Sequence, residues 1–437
     1  MPKPIDGERV LAGRSACPGF GTGGLFVIGG DEPDGELNPS QVRPDVASAP
    51  VGAVIASEDL TPAEMLRLDV AKPAAIVLSR GSATGHVAVM AHERNLPLLV
   101  GLGIDFGALD LSGGADALVD AVAGELTLLP TDSRRAAFAQ KRAVWTEDRV
   151  RDVLALPRPA ATADGEPIAV TLAVDDLSQL RSLNPAHADG VGLMRTEMLF
   201  MNRSAMPGED GQLALYRVLL QWAAGWPVCL RTVDPGAGKS LPGMEASPLR
   251  GVAFSLAHPD LFRIQLRAML RAAADGDLSI MLPMVERPEQ LRQVRAAIAG
   301  CVDELRREGR PFGTPPLVMM VETPGAAERI AEFDADAFSI GLGDLTALTL
   351  GRARDAGPDS GPDAPPAVRA LVRRVLEHAS RLGRPCRLCG VAAADTALLP
   401  VWLDLGAREF CVAGAELGRV KSALAAIDLR SRPASRA

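Results

Sequence analysis

From residue 166 onward, short apolar runs alternate with longer amphipathic segments. Runs rich in Val, Ile, Leu and Met predict buried strands of a parallel sheet, and the segments between them predict helices. Strands are predicted at 168–174, 190–195, 228–233, 278–284, 317–321, 337–340, 386–389 and 409–412. Helices are predicted at 259–274, 288–308, 367–382 and 415–426. About eight strand–helix units in about 265 residues predict a TIM barrel, with a doubly wound sheet as the alternative.

The first 130 residues predict a smaller α/β domain. Their apolar runs and turn residues predict two short strands within 8–30, joined at a Pro-Gly turn. A helix is predicted after Thr61, because Glu64 stands three residues on and the pair has the spacing of a capping box. Further strands are predicted at 53–56, 74–78, 118–121 and 125–129.

Polar and low-periodicity segments separate these regions. Residues 29–50 are rich in Gly, Asp, Glu and Pro and predict a loop. Residues 132–152 predict a linker helix, and 157–165 predict a flexible joint. The predicted divisions are a small domain at 1–130, a linker at 131–162 and a barrel at 163–437.

Composition narrows the class of protein. The 437 residues are 47% hydrophobic and 23% charged, which suits globular domains with ordinary cores. The net charge is −8 and the basic residues are dispersed, so a nucleic-acid partner is not predicted. No apolar run approaches the ~18 residues of a membrane span and no secretory leader is recognisable, so we expect a cytoplasmic protein without a membrane partner.

Two local motifs are weak signals. The C-x-x-C spacing of Cys386 and Cys389 lacks a second pair or a histidine cluster, so a zinc site is not predicted. The six cysteines of so long a chain do not indicate a disulfide scaffold. Residues 236–240 resemble the end of a phosphate-binding loop, but Val233 stands where that loop begins with glycine, so nucleotide binding is not predicted.

Charged side chains follow several of the predicted barrel strands. Because barrel enzymes place their chemistry at the carboxyl ends of strands, Arg195, Arg231, Glu322 and Asp344 are candidate site residues. Paired guanidinium groups bind phosphate or carboxylate, and the carboxylates are suitable ligands for Mg²⁺. This combination indicates a small phosphorylated acid as ligand. The pattern is equally compatible with an ion-pair network, including Glu197 and Asp234, that only closes the barrel end.

His86 follows a turn of small residues and precedes an apolar helical segment. Gly, Ser and Thr between 81 and 85 allow backbone N–H groups to converge at the helix start, where they would stabilise a phosphoryl group on the imidazole. A histidine that merely begins a helix is the alternative.

Two regions resemble the phosphoenolpyruvate-utilising enzymes. Residues 81–103, with the triplet Thr84-Gly85-His86, resemble the phosphohistidine motif of that family. Segments of the predicted barrel resemble the phosphoenolpyruvate-binding barrel of Enzyme I, the family member of the sugar phosphotransferase system. These segments are 190–201, 231–234, 265–272, 280–284 and 321–324.

The resemblance implies a fold and a set of roles. It implies a swivelling phosphohistidine domain ahead of a barrel that pairs into a homodimer. It implies that His86 carries the phosphoryl group and that Cys389 protonates the enolate carbon. It further implies Mg²⁺ ligands at Glu322 and Asp344. The residues that it assigns to phosphoenolpyruvate are Arg195, Arg231, Arg267, Arg354 and Gly343.

The chain departs from the family pattern in the site. Gly343 stands where the family has Asn, Val391 where Enzyme I has Glu, and Ala253 where the family has Arg, although Arg250 lies nearby. The predicted loop at 29–50 replaces the helical insertion that docks the phosphocarrier protein HPr in Enzyme I.

The leading hypothesis is a Mg²⁺-dependent phosphotransferase that moves the phosphoryl group of phosphoenolpyruvate to His86 and on to an acceptor, releasing pyruvate. The acceptor can be a phosphocarrier protein or another molecule. One alternative is a sensor that binds phosphoenolpyruvate or pyruvate without catalysis. Another is a lyase or mutase acting on a related oxo acid.

Overall fold

The computed structural model describes residues 3–4, 7–28, 48–68, 73–83, 86–106, 109–110, 115–201, 203–235, 240–351 and 364–431. The chain divides into two compact units, Met1–Glu147 and Asp148–Ala437. Most of the predicted loop at 29–50 and residues 236–239 lie outside the described residues. Within the described ranges, no helix combines the length and the apolar character that crossing a membrane requires.

The first unit is built on a mixed sheet. Its strands are β1 (Lys3–Pro4), β2 (Arg9–Ala12), β3 (Arg14–Cys17), β4 (Phe20–Val27), β5 (Val54–Ser57), β6 (Ala75–Leu78), β7 (Leu98–Val100), β8 (Leu109–Asp110), β9 (Asp116–Asp120) and β10 (Glu125–Leu128). Its helices are α1 (Pro62–Arg67), α2 (His86–Glu93) and α3 (Asp132–Ala155), and the division between the units falls within α3. Eight strands form one sheet in the order β2-β10-β9-β4-β5-β6-β7-β3, in which β4 to β7 run parallel.

The start of α1 confirms the predicted capping box. The Thr61 hydroxyl accepts a hydrogen bond from the Glu64 backbone N–H at 3.2 Å, and the Glu64 carboxylate accepts one from the Thr61 N–H at 2.7 Å. Two N–H groups that the first helical turn leaves without partners are thereby satisfied.

Strands lie on both sides of the predicted Pro-Gly turn, β3 before it and β4 after it, but the predicted number of two strands within 8–30 was wrong, because the structure has three. Gly13 separates β2 from β3, which lie at opposite edges of the sheet, and its N–H donates to the Gly124 carbonyl at 2.8 Å. A Cβ at Gly13 would lie 3.1 Å from the Leu102 side chain. The close approach of another segment of the protein explains why residue 13 is glycine. The pattern of apolar residues does not show that the chain passes from one edge of the sheet to the other at this point.

The second unit is a closed eight-stranded barrel. Its strands are β11 (Ala169–Val174), β12 (Val191–Arg195), β13 (Val228–Arg231), β14 (Leu278–Leu282), β15 (Leu317–Val321), β16 (Ala337–Gly341), β17 (Cys386–Cys389) and β18 (Glu409–Ala413). All neighbours are parallel, and β18 pairs with β11 to close the barrel. The TIM-barrel prediction is confirmed, and closure excludes the doubly wound sheet.

Helices cover the outside of the barrel. They are α4 (Glu209–Ala223), α5 (Gly251–Ala257), α6 (Pro259–Ala272), α7 (Pro288–Arg307), α8 (Pro324–Glu328), α9 (Leu342–Thr349), α10 (Pro366–Leu382), α11 (Val391–Ala394), α12 (Leu399–Asp404) and α13 (Leu417–Leu424). Short 3₁₀ segments lie at Leu177–Ser182, Pro185–His187, Thr196–Leu199, Ile330–Glu332 and Gly414–Glu416. One apolar core fills the space between strands and helices, and a smaller one, with Leu193, Met281 and Met320, fills the barrel interior. Because all strands are parallel, their carboxyl ends meet at one end of the barrel.

Candidate active site

Two arginines end neighbouring strands at that end of the barrel. Arg195 is the last residue of β12 and Arg231 is the last residue of β13, and the two are direct partners in the parallel ladder. Register partners on adjacent strands point to the same face of a sheet, so their side chains leave the barrel wall on the same side. Arg195 is about one-third exposed and donates to Asp175 at 3.1 Å. The structure thus brings together the two guanidinium groups predicted at strand ends.

Arg231 lies buried among carboxylates. It forms an ion pair with Glu197, which follows β12. Burial opposes the positive charge, but the carboxylates of Glu197, Glu322 and Asp234 outweigh this effect and raise the pKa of Arg231. Burial raises the pKa of Glu197, and the guanidinium of Arg231 opposes that change. A buried ion pair of this kind needs further partners to offset the loss of hydration.

Some of those partners are missing in the described part of the protein. The Arg231 Nε, the Glu197 Oε2 and the Thr232 hydroxyl are buried without a hydrogen-bond partner. Native proteins rarely leave buried polar atoms unsatisfied, so water, an ion or a ligand is expected to complete their hydrogen bonds. The ion-pair network is therefore incomplete by itself, which favours a binding site over a mere closure of the barrel end.

Glu322 directly follows β15 and is almost fully buried. Its Oε1 accepts a hydrogen bond from the backbone N–H of Met284 at 2.9 Å. Burial raises the pKa of Glu322 to about 7, with Arg231 opposing the rise and the nearby charge of Asp344 adding to it. A Cβ at Gly341 would lie 2.8 Å from the Glu322 Cγ, so glycine there makes room for this side chain. The carboxylate is thus held where its negative charge lacks full compensation.

The raised pKa of Glu322 predicts a pH-dependent stability. A carboxyl group whose pKa is higher in the folded than in the unfolded state contributes stability below about pH 4.5, and that contribution is lost as pH rises through about 7. In metal-free buffer we expect the melting temperature of Glu322→Gln to fall less than that of the wild type between pH 5 and 8, by a few degrees for a change of a few kcal/mol. Differential scanning calorimetry measures this difference.

Glu328→Gln is the matched control, because Glu328 is an exposed glutamate on α8. It should reproduce the wild-type pH dependence. Parallel melting curves for the wild type and Glu322→Gln over this pH range would contradict the assigned cause.

Asp344 and Asp234 both contact Arg250. Asp344 lies on α9 and is buried, and Asp234 follows β13 by a few residues. The guanidinium of Arg250, which caps α5, lies 2.9 Å from the Asp234 Oδ2 and 3.5 Å from the Asp344 Oδ2. Burial would raise the pKa of Asp234, but hydrogen bonds and charge from Arg250, with Arg231, lower it. Asp234 is therefore held ionised beside the protonatable Glu322.

Among the described residues of this cluster, carboxylates outnumber guanidinium groups. Its members are the carboxylates of Asp175, Glu197, Asp234, Glu322 and Asp344 and the guanidinium groups of Arg195, Arg231 and Arg250. In the described ranges, no group of three or more His, Cys, Asp or Glu side chains has the spacing of a metal cage. Mg²⁺ in enzymes is usually held by one or two carboxylates together with water and substrate phosphate. The excess of negative charge and the hard oxygen donors of Glu322 and Asp344 fit that ion.

Cys389 ends β17 inside the barrel. Its Sγ donates to the Ile340 carbonyl at 3.4 Å and accepts a hydrogen bond from the Ser339 hydroxyl at 3.6 Å. Burial raises the pKa of the thiol to about 11, although the bond from Ser339 opposes this, and the charge of Glu322 raises it further. The group therefore remains a protonated thiol at neutral pH, which suits a proton donor and not a nucleophile.

The remaining predicted site residues differ in how far the structure describes them. His86 is the first residue of α2, in the unit that does not contain the barrel. Arg354 lies outside the described residues. Gly343 is the second residue of α9, and a Cβ there would meet open space, so crowding does not explain the glycine.

Arg267 does not lie with this cluster, and its prediction as a substrate-binding residue is wrong. It lies in the middle of α6, where its guanidinium contacts Glu209 on α4 and reaches Glu304 at 2.9 Å and Glu308 at 2.6 Å. Glu304 belongs to α7 and Glu308 directly follows it. Arg267 therefore links α6 to α4 and to the C-terminal end of α7 through ion pairs. Resemblance along a segment does not tell a site arginine from a structural one.

This reassignment predicts that Arg267→Met lowers stability and spares ligand binding. The side chain is buried and holds three carboxylates, so its removal should cost roughly 2–4 kcal/mol of unfolding free energy. Arg263 on the same helix is half exposed and pairs with Glu304, so Arg263→Met should cost less than about 1 kcal/mol. Urea unfolding measures the stability of both variants, and titration with phosphoenolpyruvate, the ligand that the resemblance implies, measures their binding. Weakened binding with unchanged stability would contradict the reassignment.

Four members of the cluster were not among the predicted site residues. Glu197 and Asp234 were placed only in the alternative ion-pair network, and Asp175 and Arg250 were in neither set. Asp175 follows β11 and pairs with Arg195, and its place directly after an apolar run was the available signal. Arg250 was noted only as a neighbour of Ala253. It does not follow a predicted strand, so the sequence offered no signal that places it at the site.

Two family models match this chain. The model described as PEP-utilising enzyme, PEP-binding domain, matches residues 151–429. The chain belongs to the PEP-utilising enzyme family. The model described as PEP-utilising enzyme, mobile domain, matches residues 49–124, which include His86. The resemblance of the two regions to this family is therefore confirmed.

Similar known proteins carry the names of phosphotransferases. A multiphosphoryl transfer protein of Rhodobacter capsulatus is 34% identical over 386 residues, which cover 85% of this chain and 45% of the relative. A phosphoenolpyruvate-protein phosphotransferase of Haloferax volcanii is 34% identical over 403 residues, covering 88% of this chain and 69% of the relative. A phosphoenolpyruvate-protein phosphotransferase of Geobacillus stearothermophilus is 32% identical over 392 residues, covering 87% of this chain and 66% of the relative. The chain thus spans less than half of the first relative and about two thirds of the others.

Proposed function

We propose that this protein is a phosphoenolpyruvate-dependent phosphotransferase. The barrel binds phosphoenolpyruvate, and the phosphoryl group passes to His86 and then to an acceptor while pyruvate is released. The observation that carries the proposal is the pair Arg195 and Arg231, side by side at strand ends, with buried polar atoms around Arg231 that lack partners. A ligand with a phosphate and a carboxylate would supply acceptors for both guanidinium groups.

The acidic side of the site supports Mg²⁺ as the cofactor. Glu322 and Asp344 would hold the ion, and bound Mg²⁺ would neutralise charge on the phosphate during transfer. The two arginines orient the substrate, because guanidinium groups fix planar anions in one position. Phosphoryl transfer requires mainly such positioning and charge neutralisation, which this set of residues can provide.

The covalent steps balance with residues of this chain. The bond between phosphorus and the enol oxygen breaks as a bond between phosphorus and a ring nitrogen of His86 forms. The enolate of pyruvate that remains takes a proton at its methylene carbon from the Cys389 thiol, and the thiolate recovers a proton from solvent. The raised pKa of Cys389 supports this role because the proton is present before the enolate forms.

The names of the relatives support a protein as acceptor. Those of Haloferax volcanii and Geobacillus stearothermophilus are named for transfer from phosphoenolpyruvate to protein, and a phosphocarrier protein is accordingly our proposed acceptor. A homodimer formed through the barrel and a cytoplasmic location remain predictions from the resemblance and from composition. Sedimentation of the purified chain checks the first.

Labelled phosphoenolpyruvate tests the proposal directly. Incubation of the full chain with ³²P-phosphoenolpyruvate and Mg²⁺ should yield a labelled protein whose phosphoryl bond is lost in acid and stable in alkali, together with one pyruvate per bound phosphoryl group. Chelation of Mg²⁺ should prevent labelling. Binding of phosphoenolpyruvate without any label would contradict the proposal.

A sensor that binds without catalysis is the second candidate. Gly343, Val391 and Ala253 favour it, since each lacks a side chain that the resemblance implies at the site, and Val391 is largely exposed. A sensor should be stabilised thermally by phosphoenolpyruvate yet never become phosphorylated. The same labelling experiment separates the two candidates.

A further inference from the structure

Arg250 joins two carboxylates that belong to different parts of the barrel end. Its Nη2 lies 2.9 Å from the Asp234 Oδ2 and its Nε lies 3.4 Å from the Asp234 Oδ1. The same Nη2 reaches the Asp344 Oδ2 at 3.5 Å. Arg250 is thus held by two contacts to Asp234 and by one longer contact to Asp344.

The backbone beside Arg250 is fixed, whereas its side chain has room. The Gly251 N–H donates to the Asp234 Oδ1 at 2.9 Å, and the Val252 N–H donates to the Pro283 carbonyl at 2.9 Å. Gly251 has φ +53°, and a Cβ there would lie 2.5 Å from the Pro283 carbonyl oxygen. The Arg250 side chain is 21% exposed. We therefore expect any movement at this point to involve the guanidinium group of Arg250 and not its backbone.

The longer contact occupies a carboxylate that the proposed cation also needs. Asp344 is one of the two proposed Mg²⁺ ligands, and a guanidinium beside it already supplies positive charge. A cation that binds the Asp344 Oδ2 takes the oxygen that the Arg250 Nη2 contacts, and the two positive charges repel each other. If an anionic substrate binds as well, the released guanidinium gains a phosphate or carboxylate as its new partner.

We propose that Arg250 is an exchangeable internal cation: it pairs with Asp344 when no ligand is bound and moves to the anionic substrate when a divalent cation binds. Arg250 thereby opposes binding of the cation alone and couples it to binding of the substrate. The identity of the anion rests on the proposed function, whereas the competition for Asp344 does not. Coupling between two ligands of this type typically changes affinity by about 5–150-fold.

Mn²⁺ binding, followed by electron paramagnetic resonance, tests this role without turnover. The full chain carries His86→Ala so that no phosphoryl group is transferred, and Arg250→Met, Arg250→Lys and Arg217→Met are compared in that background. Arg217 is the matched control, because it pairs with Asp275 at 2.8 Å outside the site. We expect Arg250→Met to bind Mn²⁺ alone roughly tenfold more tightly and phosphoenolpyruvate roughly tenfold more weakly.

The coupling itself is the decisive readout. In the parent, phosphoenolpyruvate should tighten Mn²⁺ binding severalfold. In Arg250→Met this gain should fall to the part that direct contact between the cation and the phosphate supplies, in Arg250→Lys it should fall less, and in Arg217→Met it should be unchanged. Equal or weaker Mn²⁺ binding by Arg250→Met, with coupling retained, would overturn the proposal. Absence of Mn²⁺ binding from both parent and variant would also overturn it. Thermal unfolding checks that the variants fold. If Arg250→Met does not fold, the same binding measurements are made with Arg250→Lys.

The proposed function can fail independently. If the wild type never forms a labelled phosphoprotein while Arg250→Met binds Mn²⁺ more tightly, the phosphotransferase proposal fails and the role of Arg250 stands. If labelling succeeds and Arg250→Met behaves as its parent, only the role of Arg250 fails.

Discussion

Replacement of His86 by alanine should reduce labelling from ³²P-phosphoenolpyruvate to background. Alanine has no nitrogen to accept phosphorus, so the bond that defines the phosphoenzyme cannot form. Binding of phosphoenolpyruvate should be retained, because the proposed binding residues Arg195 and Arg231 belong to the barrel unit. Filter-bound radioactivity and isothermal titration on the same preparation measure the two properties.

His92 provides the matched control, since it lies on the same helix as His86. His92→Ala should become labelled to the same extent as the wild type. Thermal unfolding of both variants shows whether α2 tolerates the changes equally. Undiminished, acid-labile labelling of His86→Ala would remove His86 as the carrier, and equal loss in both variants would point to damage of the helix.

Replacement of Cys389 by alanine should separate phosphoryl transfer from the formation of pyruvate. The thiol is buried and protonated at neutral pH, and removal of a positioned acid typically slows its step by about 10²–10⁴-fold. In a single turnover we expect the phosphoenzyme to form while ketonised pyruvate lags behind it. Rapid-quench samples, assayed for both label and pyruvate, show the lag. Cys389→Ser should share the defect, because a hydroxyl holds its proton far more tightly than a thiol.

Cys411 is the control for this experiment. It lies opposite Cys389 in the ladder between β17 and β18, is equally buried, and packs in the same interior cluster. Cys411→Ala should therefore show how much the loss of a buried thiol at this level of the barrel slows the reaction through altered packing alone. If both variants form pyruvate in step with the phosphoenzyme, Cys389 is not the acid.

The barrel could be predicted because its strands carry their own signal. Each predicted strand from 168–174 to 409–412 overlaps an observed one, since a strand buried on both faces is apolar along most of its length. The errors are mainly at the ends, where β13 ends at Arg231 and β14 ends at Leu282. The residues beyond these ends, Thr232-Val233 and Pro283-Met284, are mostly apolar, so the apolar pattern continues past the last paired residue and does not set the boundary.

The site was only partly predictable. Arg195, Arg231, Glu322 and Cys389 end or directly follow strands, and a parallel barrel necessarily gathers such positions at one end. Arg267 shows the limit, because its helix segment resembles the family equally well and yet the side chain faces neighbouring helices. A helix has several faces, and only packing determines which of them meets the site.

The sequence by itself determined the alternation of buried strands and amphipathic helices, the arginines and carboxylates at strand ends, and the family. Backbone preferences and the spacing of apolar positions are properties of a few neighbouring residues, so these features can be read without knowledge of distant contacts. Tertiary structure alone decided that Arg250 lies between Asp234 and Asp344, that Arg267 lies elsewhere, and that Glu322 has a raised pKa. Charge interactions depend on distance and on exclusion of water, and both are set by residues far apart in the chain.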